Sequence, residues 1–322
     1  MMKAQKVAFA GGELDRQAHR RADTARIASN PASRILPLWK GRVLVSGDDT
    51  TRLVTLPPDH PALAIAPGEQ VFLGAADGVD MLTHDFSAWA PELVDGQDSS
   101  PGFWGQPQSA SELPDLPAGA RFADLRLLAA ELSPLEAETA ATARGVLEWH
   151  RSHQFCATCG AASEITDGGW QRICPSCNRR HFPRTDPVVI MLVTRGNKLL
   201  MGRSKGWPEG FYSLLAGFME PGEPIDAAVR REVLEESGIK TGDVRILDSQ
   251  PWPFPASLMI GCHAEAISDE ISVDPTEMED VLWITREEAL DIHAGLHPQI
   301  SPLRHGAIAQ FLFTKWLADR VD

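Results

Sequence analysis

The apolar positions in the C-terminal half of the chain follow two periodicities. From Asp186 onward, short apolar runs bounded by Gly, Pro and charged residues predict strands, whereas residues 222–237 and 302–319 show helical spacing. The runs that predict strands read VVIMLVT, KLLMG, FYSLLAG, VRILDSQ, SLMIGCHAEAI and VLWI. Their alternation with the helices is too irregular to predict a doubly wound parallel sheet. The pattern therefore predicts a mixed α/β domain.

The N-terminal part of the chain has a different pattern. Residues 1–93 contain short apolar runs, such as RVLVSG and TRLVTLP, that are broken by Gly, Asp and Pro and predict a small β-rich domain. Residues 94–119 are rich in Pro, Gly and Ser and are predicted to form a loop or linker. At Ser133 the sequence SPLE combines a capping serine, a proline at the first helical position and a glutamate three residues after the cap. These signals predict a helix that continues to about His150.

Charge and hydropathy narrow the possible functions. The chain has 30 Lys and Arg against 44 Asp and Glu, so its net charge of −14 repels nucleic acid and anionic phosphate substrates alike. A site for such a substrate therefore requires divalent metal. No apolar run approaches the roughly 18 residues of a membrane span, and the N-terminus becomes charged before a long apolar run develops. These features predict a cytoplasmic protein without a signal peptide.

Four of the five cysteines form two CxxC pairs, Cys156 with Cys159 and Cys174 with Cys177. Each pair forms a turn that directs two sulfurs toward one point, so together they supply four thiolates for tetrahedral zinc. Two disulfides, or a redox-active CxxC, are the alternatives. A cytoplasmic chain disfavours structural disulfides, and a redox motif needs only one pair. Because four protein ligands leave the metal no open position, the predicted zinc is structural and the catalytic metal must lie elsewhere.

Two histidines beside the cysteines and one distant cysteine also have side chains that could have a chemical role. His153 and His181 flank the cysteines, but with four thiolates present we interpret both histidines as surface residues rather than zinc ligands. Cys262 lies within a predicted strand, where a buried and unreactive thiol is expected.

An acidic helix is the most informative segment of the chain. In the run REVLEESG, Glu232 lies three and four residues before Glu235 and Glu236, so the three carboxylates share one helix face. Such crowding raises carboxylate pKa values, and divalent cations convert the same repulsion into binding. Three apolar residues at four-residue spacing are predicted to anchor the helix in the core while the acids point outward, and a glycine is predicted to end it. These residues are Ile225, Val229, Val233 and Gly238.

A glutamate-rich helix on its own is usually a solvated face, but here it is part of a longer pattern. A glycine, five residues, a glutamate, seven residues and then Arg-Glu-apolar-x-Glu-Glu-x-Gly-apolar form the Nudix box, without a departure. The matching residues are Gly217, Glu223, Arg231, Glu232, Val233, Glu235, Glu236, Gly238 and Ile239. The chain thus resembles the Nudix hydrolase superfamily, whose members hydrolyse nucleoside diphosphates linked to another group. The resemblance implies an α/β/α sandwich in which the box forms a loop, a helix and a loop.

A second motif narrows the resemblance. The run SQPWPFPASLM begins at Ser249, and its three prolines predict an extended loop that offers Trp252 and Phe254 as apolar planes. A rigid turn packed on the core would explain this run equally well. Together with the four-cysteine ribbon, RSHQFCATCG, HFPRTDP and the late Ala-Ile-Ala at 307–309, it resembles the NADH pyrophosphatase family. The resemblance covers roughly residues 145–322, whereas the N-terminal third matches in placement and β character.

The family implies hydrolysis of NAD(H) to nicotinamide mononucleotide and AMP by a homodimer. It assigns Mg²⁺ or Mn²⁺ to Glu232, Glu235, Glu236, the Ala216 carbonyl and Glu277, although a solvated loop carboxylate is the alternative for Glu277. Glu223 and Arg231 join the catalytic set. Substrate contacts are assigned to Gln250, Pro251, Trp252, Pro253, Phe254, Pro255, Ala256, Ser257 and Ala309. Phe182 stands where family members often carry Tyr, so its ring can stack on a substrate ring but cannot donate a hydroxyl hydrogen bond.

The expected architecture is a Nudix α/β/α sandwich preceded by a zinc ribbon and a small β-rich N-terminal domain. The expected segments are 1–132 for the N-terminal domain with its linker, 133–154 for a connecting helix, 155–183 for the ribbon and 184–322 for the Nudix domain. By hypothesis, divalent ions held by the glutamates cancel charge on the pyrophosphate and activate a water. Glu235 or Glu236 accepts the water proton, while Arg231 orients Glu223.

Two alternatives remain at this point. One keeps the enzyme and changes the substrate to ADP-ribose, a dinucleoside polyphosphate or the NAD cap of an RNA. The other makes the Nudix domain a nucleotide sensor and the ribbon a docking module for protein or nucleic acid. The intact glutamate set argues against a sensor. A small basic cluster on the ribbon keeps RNA affinity open: Arg172, Arg179, Arg180 and Arg184.

Overall fold

The computed structural model describes residues 7–47, 50–91 and 107–321, which fold into two compact units. Of the described residues, one unit contains 7–8, Thr185–Trp252 and 257–321. The other contains Phe9–Arg184 and the short segment Pro253–Ala256. The zinc ribbon and the helix before it therefore belong to the same unit as the N-terminal region.

The unit that begins at Phe9 is built on a β sheet with one parallel pair of strands. Its order is β4-β5-β1-β2-β7-β6, with β3 beside β2, and β1 and β5 are the parallel pair. The strands are β1 (Arg34–Trp39), β2 (Arg42–Ser46), β3 (Arg52–Leu53), β4 (Gln70–Ala76), β5 (Val79–Asp85), β6 (Gln108–Ser109) and β7 (Arg121–Ala123). This confirms the predicted β-rich N-terminal region.

The second half of the predicted linker is part of this sheet and its core. Strand β6 pairs with β7, and Ala110 and Leu113 are buried among the aromatic residues of the N-terminal core. Residues 107–119 are therefore mostly loop, as predicted, but they are not a linker, because composition reports the turns and not the apolar side chains that reach the core. The first half of the predicted linker lies outside the described residues.

Three α-helices and a small ribbon also belong to this unit. The helices are α1 (Thr24–Ala28), α2 (Leu125–Leu128) and α3 (Pro134–Ser152). The capping box predicted for α3 is confirmed, because the Glu136 N–H donates to Ser133 Oγ at 3.4 Å and the Ser133 N–H donates to Glu136 Oε2 at 3.1 Å. The ribbon strands, in the order β10-β9-β8, are β8 (Glu164–Thr166), β9 (Gln171–Ile173) and β10 (Arg180–His181).

The unit that begins at Thr185 is a mixed sheet with helices on both faces. The strands are β11 (Asp186–Arg195), β12 (Lys198–Ser204), β13 (Leu215–Phe218), β14 (Thr241–Trp252), β15 (Ser257–Ala266) and β16 (Met278–Thr285). They follow the order β14-β15-β11-β12-β16, with β13 beside β11. The helices are α4 (Ile225–Ser237), α5 (Arg286–Ala294) and α6 (Ile308–Leu317). This confirms the predicted mixed α/β class.

Neighbouring residues of β15 show how the two helix layers are placed. The buried thiol of Cys262 packs in the same core as Val229 and Val233 of α4. At the adjacent Gly261, an added Cβ would lie 2.9 Å from Ile308 Cδ1 of α6. Because successive residues of a strand face opposite sides of the sheet, α4 and α6 cover opposite faces. This is the three-layer arrangement expected from the Nudix resemblance.

Two local features of this unit differ from the sequence analysis. Strand β14 continues through Pro251 and Trp252, so the proline-rich run is the end of a β hairpin rather than an extended loop. Helix α5 was not predicted, although Thr285 and Glu288 form a capping box at its start and Gly295 ends it with φ 72°. Among the residues that the structure describes, no helix is long and apolar enough to cross a lipid bilayer.

Candidate functional site

The four ribbon cysteines converge on one point. Their sulfurs all lie within 4.8 Å of one another, and Cys159 Sγ is 3.5 Å from Cys174 Sγ and 3.6 Å from Cys177 Sγ. A tetrahedron with Zn–S bonds of about 2.3 Å has edges of about 3.8 Å, whereas a disulfide requires about 2.05 Å. The cysteines are unbonded to each other. The donor set therefore fits structural zinc, and the two-disulfide alternative is wrong.

Each pair of cysteines sits on the same type of turn. The Gly160 N–H donates to the Cys156 carbonyl at 2.9 Å, and the Asn178 N–H donates to the Cys174 carbonyl at 2.8 Å. Both closing residues have positive φ, 75° for Gly160 and 57° for Asn178, which glycine and asparagine tolerate best. The residue that follows each CxxC is thus what lets the turn close.

Two other ribbon residues differ from expectation. His181 was interpreted as a surface residue, but it is half-buried and its Nε2 lies 3.3 Å from Cys156 Sγ. Arg172, predicted to be part of a basic surface cluster, is buried. Its guanidinium donates to Ser163 Oγ at 2.8 Å and to the Ser163 carbonyl at 2.6 Å, and it contacts His150 Nδ1 at 3.2 Å. The exposed basic cluster therefore consists of Arg179, Arg180 and Arg184.

The acidic helix α4 is anchored as predicted. Val229 and Val233 are fully buried in the core and Ile225 packs against it, while Gly238 ends the helix with φ 71°.

The acids of this helix do not all point outward, which corrects the expectation. Glu232 and Glu236 are 8% and 7% exposed, whereas the side chain of Glu235 is 54% exposed. Because Glu232 and Glu236 are four residues apart, they share the helix face that packs toward β13. Two carboxylates are therefore held inside the protein and one at the surface.

Space for the buried Glu232 carboxylate is made by the first glycine of the box. A Cβ added to Gly217 of β13 would lie 1.9 Å from Glu232 Cδ and about as close to both of its oxygens. The strand holds this position because Gly217 is paired with Val189 of β11. Any side chain at position 217 would displace the Glu232 carboxylate, so the glycine is a requirement of the site rather than of the turn.

Glu236 is the most perturbed group of the cluster. Its Oε2 is buried and has no hydrogen-bond partner among the described residues. Burial, with the nearby carboxylates of Glu232 and Glu277, raises the pKa of Glu236 to about 8, although the backbone of Ala216 hydrogen-bonds the carboxylate. Burial also raises the pKa of Glu232, against the opposing effect of Arg231. A buried carboxylate oxygen without a hydrogen-bond partner, surrounded by other carboxylates, is suited to coordinate a divalent cation.

Arg231 pairs with three glutamates of the cluster. Its guanidinium makes a bidentate pair with Glu223 at 2.9 Å for both contacts, as the sequence predicted. It also donates to Glu232 Oε1 at 2.8 Å, to Glu235 Oε2 at 3.0 Å and to the Phe218 carbonyl at 2.9 Å. The Glu223 carboxylate raises the pKa of Arg231, and Arg231 lowers the pKa of Glu223. One arginine therefore forms ion pairs with three carboxylates of the cluster.

Glu277 lies in the turn before β16 and is exposed. Its charge acts on both buried acids, which places it near them. Within this unit the structure thus brings together the predicted metal and catalytic positions: Ala216, Glu223, Arg231, Glu232, Glu235, Glu236 and Glu277.

The predicted substrate contacts are divided between the two units. Gln250, Pro251, Trp252, Ser257 and Ala309 belong to the unit that carries the acidic helix, whereas Phe182, Pro253, Phe254, Pro255 and Ala256 belong to the other. Phe182 is 63% exposed, as a stacking ring requires. Phe254 already has Arg144 over its ring at 4.4 Å and Arg126 at 5.3 Å. Gln250 is fully buried, so its side chain does not face solvent.

Matches to family models cover most of the chain. The NUDIX domain matches residues 184–304, and the NADH pyrophosphatase zinc ribbon domain matches residues 151–182. The NADH pyrophosphatase-like rudimentary NUDIX domain matches residues 32–149. The β-rich N-terminal region, whose family sequence analysis did not identify, is thus similar to a reduced copy of the Nudix fold.

Similar proteins carry matching names. The NAD-capped RNA hydrolase NUDT12 of Homo sapiens is 50% identical over 200 residues, which are 58% of this chain and 43% of that protein. Nudix hydrolase 19, chloroplastic, of Arabidopsis thaliana is 38% identical over 282 residues, covering 80% of this chain and 62% of that protein. The chain therefore spans less than two thirds of the length of either relative. A Nudix hydrolase structure from Nitrosomonas europaea, 22% identical, covers 52% of this chain and 92% of its own with a TM-score of 0.41.

A further relative is matched over most of its length. The NAD-capped RNA hydrolase NudC of Stutzerimonas stutzeri is 39% identical over 222 residues, which are 68% of this chain and 76% of that protein. The three family models follow one another in the order of the N-terminal sheet, the four-cysteine ribbon and the acidic helix. The chain therefore belongs to the NADH pyrophosphatase family of Nudix hydrolases.

Proposed function

We propose that this protein hydrolyses the pyrophosphate bond of NAD(H), giving nicotinamide mononucleotide and AMP. The observation that carries the proposal is the buried Glu236 Oε2, which has no hydrogen-bond partner among the described residues and lies next to the Glu232 carboxylate that Gly217 accommodates. Unpaired carboxylates are not retained in an interior for stability, because their burial destabilises the fold. Binding of a divalent metal and a pyrophosphate would explain why these carboxylates are buried.

The metal expected at this site is Mg²⁺ or Mn²⁺, because hard divalent cations prefer oxygen ligands. Glu232, Glu236 and Glu277, with the Ala216 carbonyl, would hold it, and Glu235 beside them is left for proton transfer. When bound, the metal neutralises charge on the pyrophosphate oxygens and lowers the pKa of water.

The remaining chemistry belongs to side chains of the chain itself. Arg231 holds Glu223, Glu232 and Glu235 in place through ion pairs, and it lowers the pKa of Glu223. Glu235 is the exposed carboxylate of the helix, and one of its oxygens accepts from Arg231. We propose that its other oxygen accepts the proton of the attacking water, whereas the buried Glu236 serves as a ligand.

A second substrate is the NAD cap at the 5′ end of an RNA, which presents the same pyrophosphate. The printed names of the human and Stutzerimonas relatives describe NAD-capped RNA hydrolases. The chain has a net charge of −14, which repels RNA. The exposed Arg179, Arg180 and Arg184 supply local positive charge that could offset this repulsion. We propose that they contact the RNA backbone, that the protein is a homodimer and that it acts in the cytoplasm.

Hydrolysis of a substrate panel tests this proposal. Purified protein with Mg²⁺ or Mn²⁺ is supplied with NADH, NAD⁺, NAD-capped RNA, ADP-ribose and a dinucleoside polyphosphate, and products are separated by chromatography. We expect AMP and reduced nicotinamide mononucleotide from NADH at the highest kcat/KM among the small molecules. Faster cleavage of ADP-ribose than of NADH would make ADP-ribose the preferred substrate and contradict the proposal. Binding of nucleotide without cleavage, at one zinc per chain, would favour a sensor.

A further inference from the structure

We infer that Gln250 is a positioning residue that holds the start of helix α6 from strand β14, and does not itself contact the substrate. The inference rests on the proposed function only where substrate kinetics are concerned. Its structural part is measurable in the protein alone.

The first observation is that both polar side-chain atoms of Gln250 already bond to the protein backbone. The residue is fully buried, and its amide makes three hydrogen bonds to the protein backbone. Oε1 accepts from the Ile308 N–H at 2.8 Å, and Nε2 donates to the Gly306 carbonyl at 2.7 Å and to the Ala8 carbonyl at 3.0 Å. Both donors of the amide group and one lone pair are therefore satisfied within the unit.

The second observation is that helix α6 has no cap of its own. The first four N–H groups of a helix need outside acceptors, and a side chain at the N-cap position usually provides one. Here the N-cap residue is Ala307, which makes no side-chain cap hydrogen bond. Gln250 supplies the missing acceptor from 58 residues earlier in the chain. Gln250 also donates a hydrogen bond to the Gly306 carbonyl, which accepts a second one from the Ala8 N–H at 3.3 Å.

The third observation is that this helix start is packed tightly against the sheet. Ile308 and Leu312 lie so close to Gly261 of β15 that a Cβ there would meet their methyl groups at 2.9 Å and 3.1 Å. Ala309, which follows Ile308, is 7% exposed. The position of Ala309 is therefore determined by the packing of Ile308 and Leu312 on Gly261 and by the hydrogen bonds of Gln250 at the start of the helix. A change at Gln250 moves Ala309, the residue expected beside the substrate.

The test is a rescue experiment on the full-length protein. Gln250→Leu removes all three hydrogen bonds at nearly constant volume, and Ala307→Asp offers α6 a local cap, because Ala307 already has the extended backbone of an N-cap (φ −79°, ψ 146°). Backbone amide hydrogen exchange of 308–311 is measured without substrate, and KM and kcat for NADH are measured with it. Gln310→Leu is the matched control, because the side chain of this buried glutamine donates to Thr314 within the same helix.

We expect Gln250→Leu to speed exchange at 308–311 by at least about tenfold. It should also raise KM for NADH by about tenfold while kcat changes by less than about threefold, because misplaced binding groups weaken ground-state and transition-state binding together. In the double variant with Ala307→Asp, most of the exchange protection and of the affinity should return. Gln310→Leu should change neither quantity. If Gln250→Leu does not fold, Gln250→Glu, which keeps the acceptor for Ile308, takes its place and should give smaller effects of the same sign.

Two results would overturn the inference. Unchanged exchange at 308–311 in Gln250→Leu would show that the helix start does not depend on Gln250. A raised KM that persists in the double variant, although exchange protection returns, would make Gln250 a direct substrate contact. Failure of the wild-type protein to cleave NADH would instead refute the proposed function, and the exchange results would still decide the role of Gln250.

Discussion

Glu236→Gln should make the protein more stable and less active at the same time. The substitution keeps the shape of the side chain and removes its buried charge. The pKa of Glu236 is raised to about 8 from an ordinary 4.5, so the folded chain binds this proton more tightly than the unfolded chain. Below about pH 4.5 the carboxyl group is neutral in both states and destabilises neither. Between pH 4.5 and 8 the penalty grows, and above pH 8 it is complete.

The size of the penalty follows from the same two values. The difference between about 8 and 4.5 corresponds to roughly 5 kcal/mol, at about 1.4 kcal/mol for each tenfold change in ionisation. The glutamine amide recovers part of this, so we expect the variant to be more stable by roughly 2–5 kcal/mol at pH 8.5 without added divalent metal. For a unit of this size the change is about 5–15 °C in Tm. At pH 5 the gain should nearly vanish.

Thermal unfolding of wild-type protein and Glu236→Gln at pH 5 and pH 8.5 checks this, with zinc retained and with or without Mg²⁺ or Mn²⁺. The added metal should stabilise wild type at pH 8.5 and have little effect on the variant, whose kcat should fall roughly a hundredfold or more. The exposed Glu209→Gln is the control for loss of one negative charge. A variant that is no more stable than wild type at pH 8.5 would refute the reasoning, because the buried carboxylate would then carry no penalty.

Three further predictions concern the same sites. Gly217→Ala should lower kcat/KM at least about thirtyfold and destabilise by about 1–3 kcal/mol, because its Cβ would overlap the Glu232 carboxylate, whereas Gly242→Ala, with nothing closer than 3.5 Å, should leave kcat/KM near wild type. Glu235→Gln should lower kcat about a hundredfold with near-normal Mn²⁺ affinity by isothermal titration, whereas equal loss of affinity in Glu235→Gln and Glu236→Gln would contradict their separate roles. Cys177→Ser should release zinc, measured by metal analysis, and lower the Tm of the ribbon-containing unit, whereas Cys262→Ser, a buried thiol outside the ribbon, should retain one zinc per chain.

The parts of the fold that sequence predicted are those that local spacing determines. The four-residue spacing of Val229 and Val233, the pair of Arg231 with Glu223 and the end of α4 at Gly238 each depend on residues within about one or two turns of helix. The two CxxC turns are local in the same way. Helix α5 carried equally local signals, since Thr285 and Glu288 form a capping box, and it was missed only because its apolar stripe is short.

The parts that sequence did not predict depend on residues far apart in the chain. Glu232 looks as solvated as Glu235 in the sequence, and only the packing of α4 on β13, where Gly217 leaves room for Glu232, makes one acid buried and the other exposed. Residues 107–119 look like a linker because their turn residues outnumber Ala110 and Leu113, which reach a distant core. Periodicity reports which side chains share a face and does not report what covers that face.

Gln250 shows where resemblance to a family stops being informative. A motif such as SQPWPFPAS assigns a shared role to a run of residues, but adjacent residues of a strand face opposite sides of the sheet and cannot all touch one ligand. Of this run, Gln250 is fully buried and bound to the backbone of Ala8, Gly306 and Ile308, and Phe254 packs under two arginines. A residue that supports the site is as sensitive to substitution as one that touches the substrate, so loss of activity alone does not tell them apart. The distinction requires a structural measurement without substrate, because only a supporting residue changes the protein before the substrate arrives.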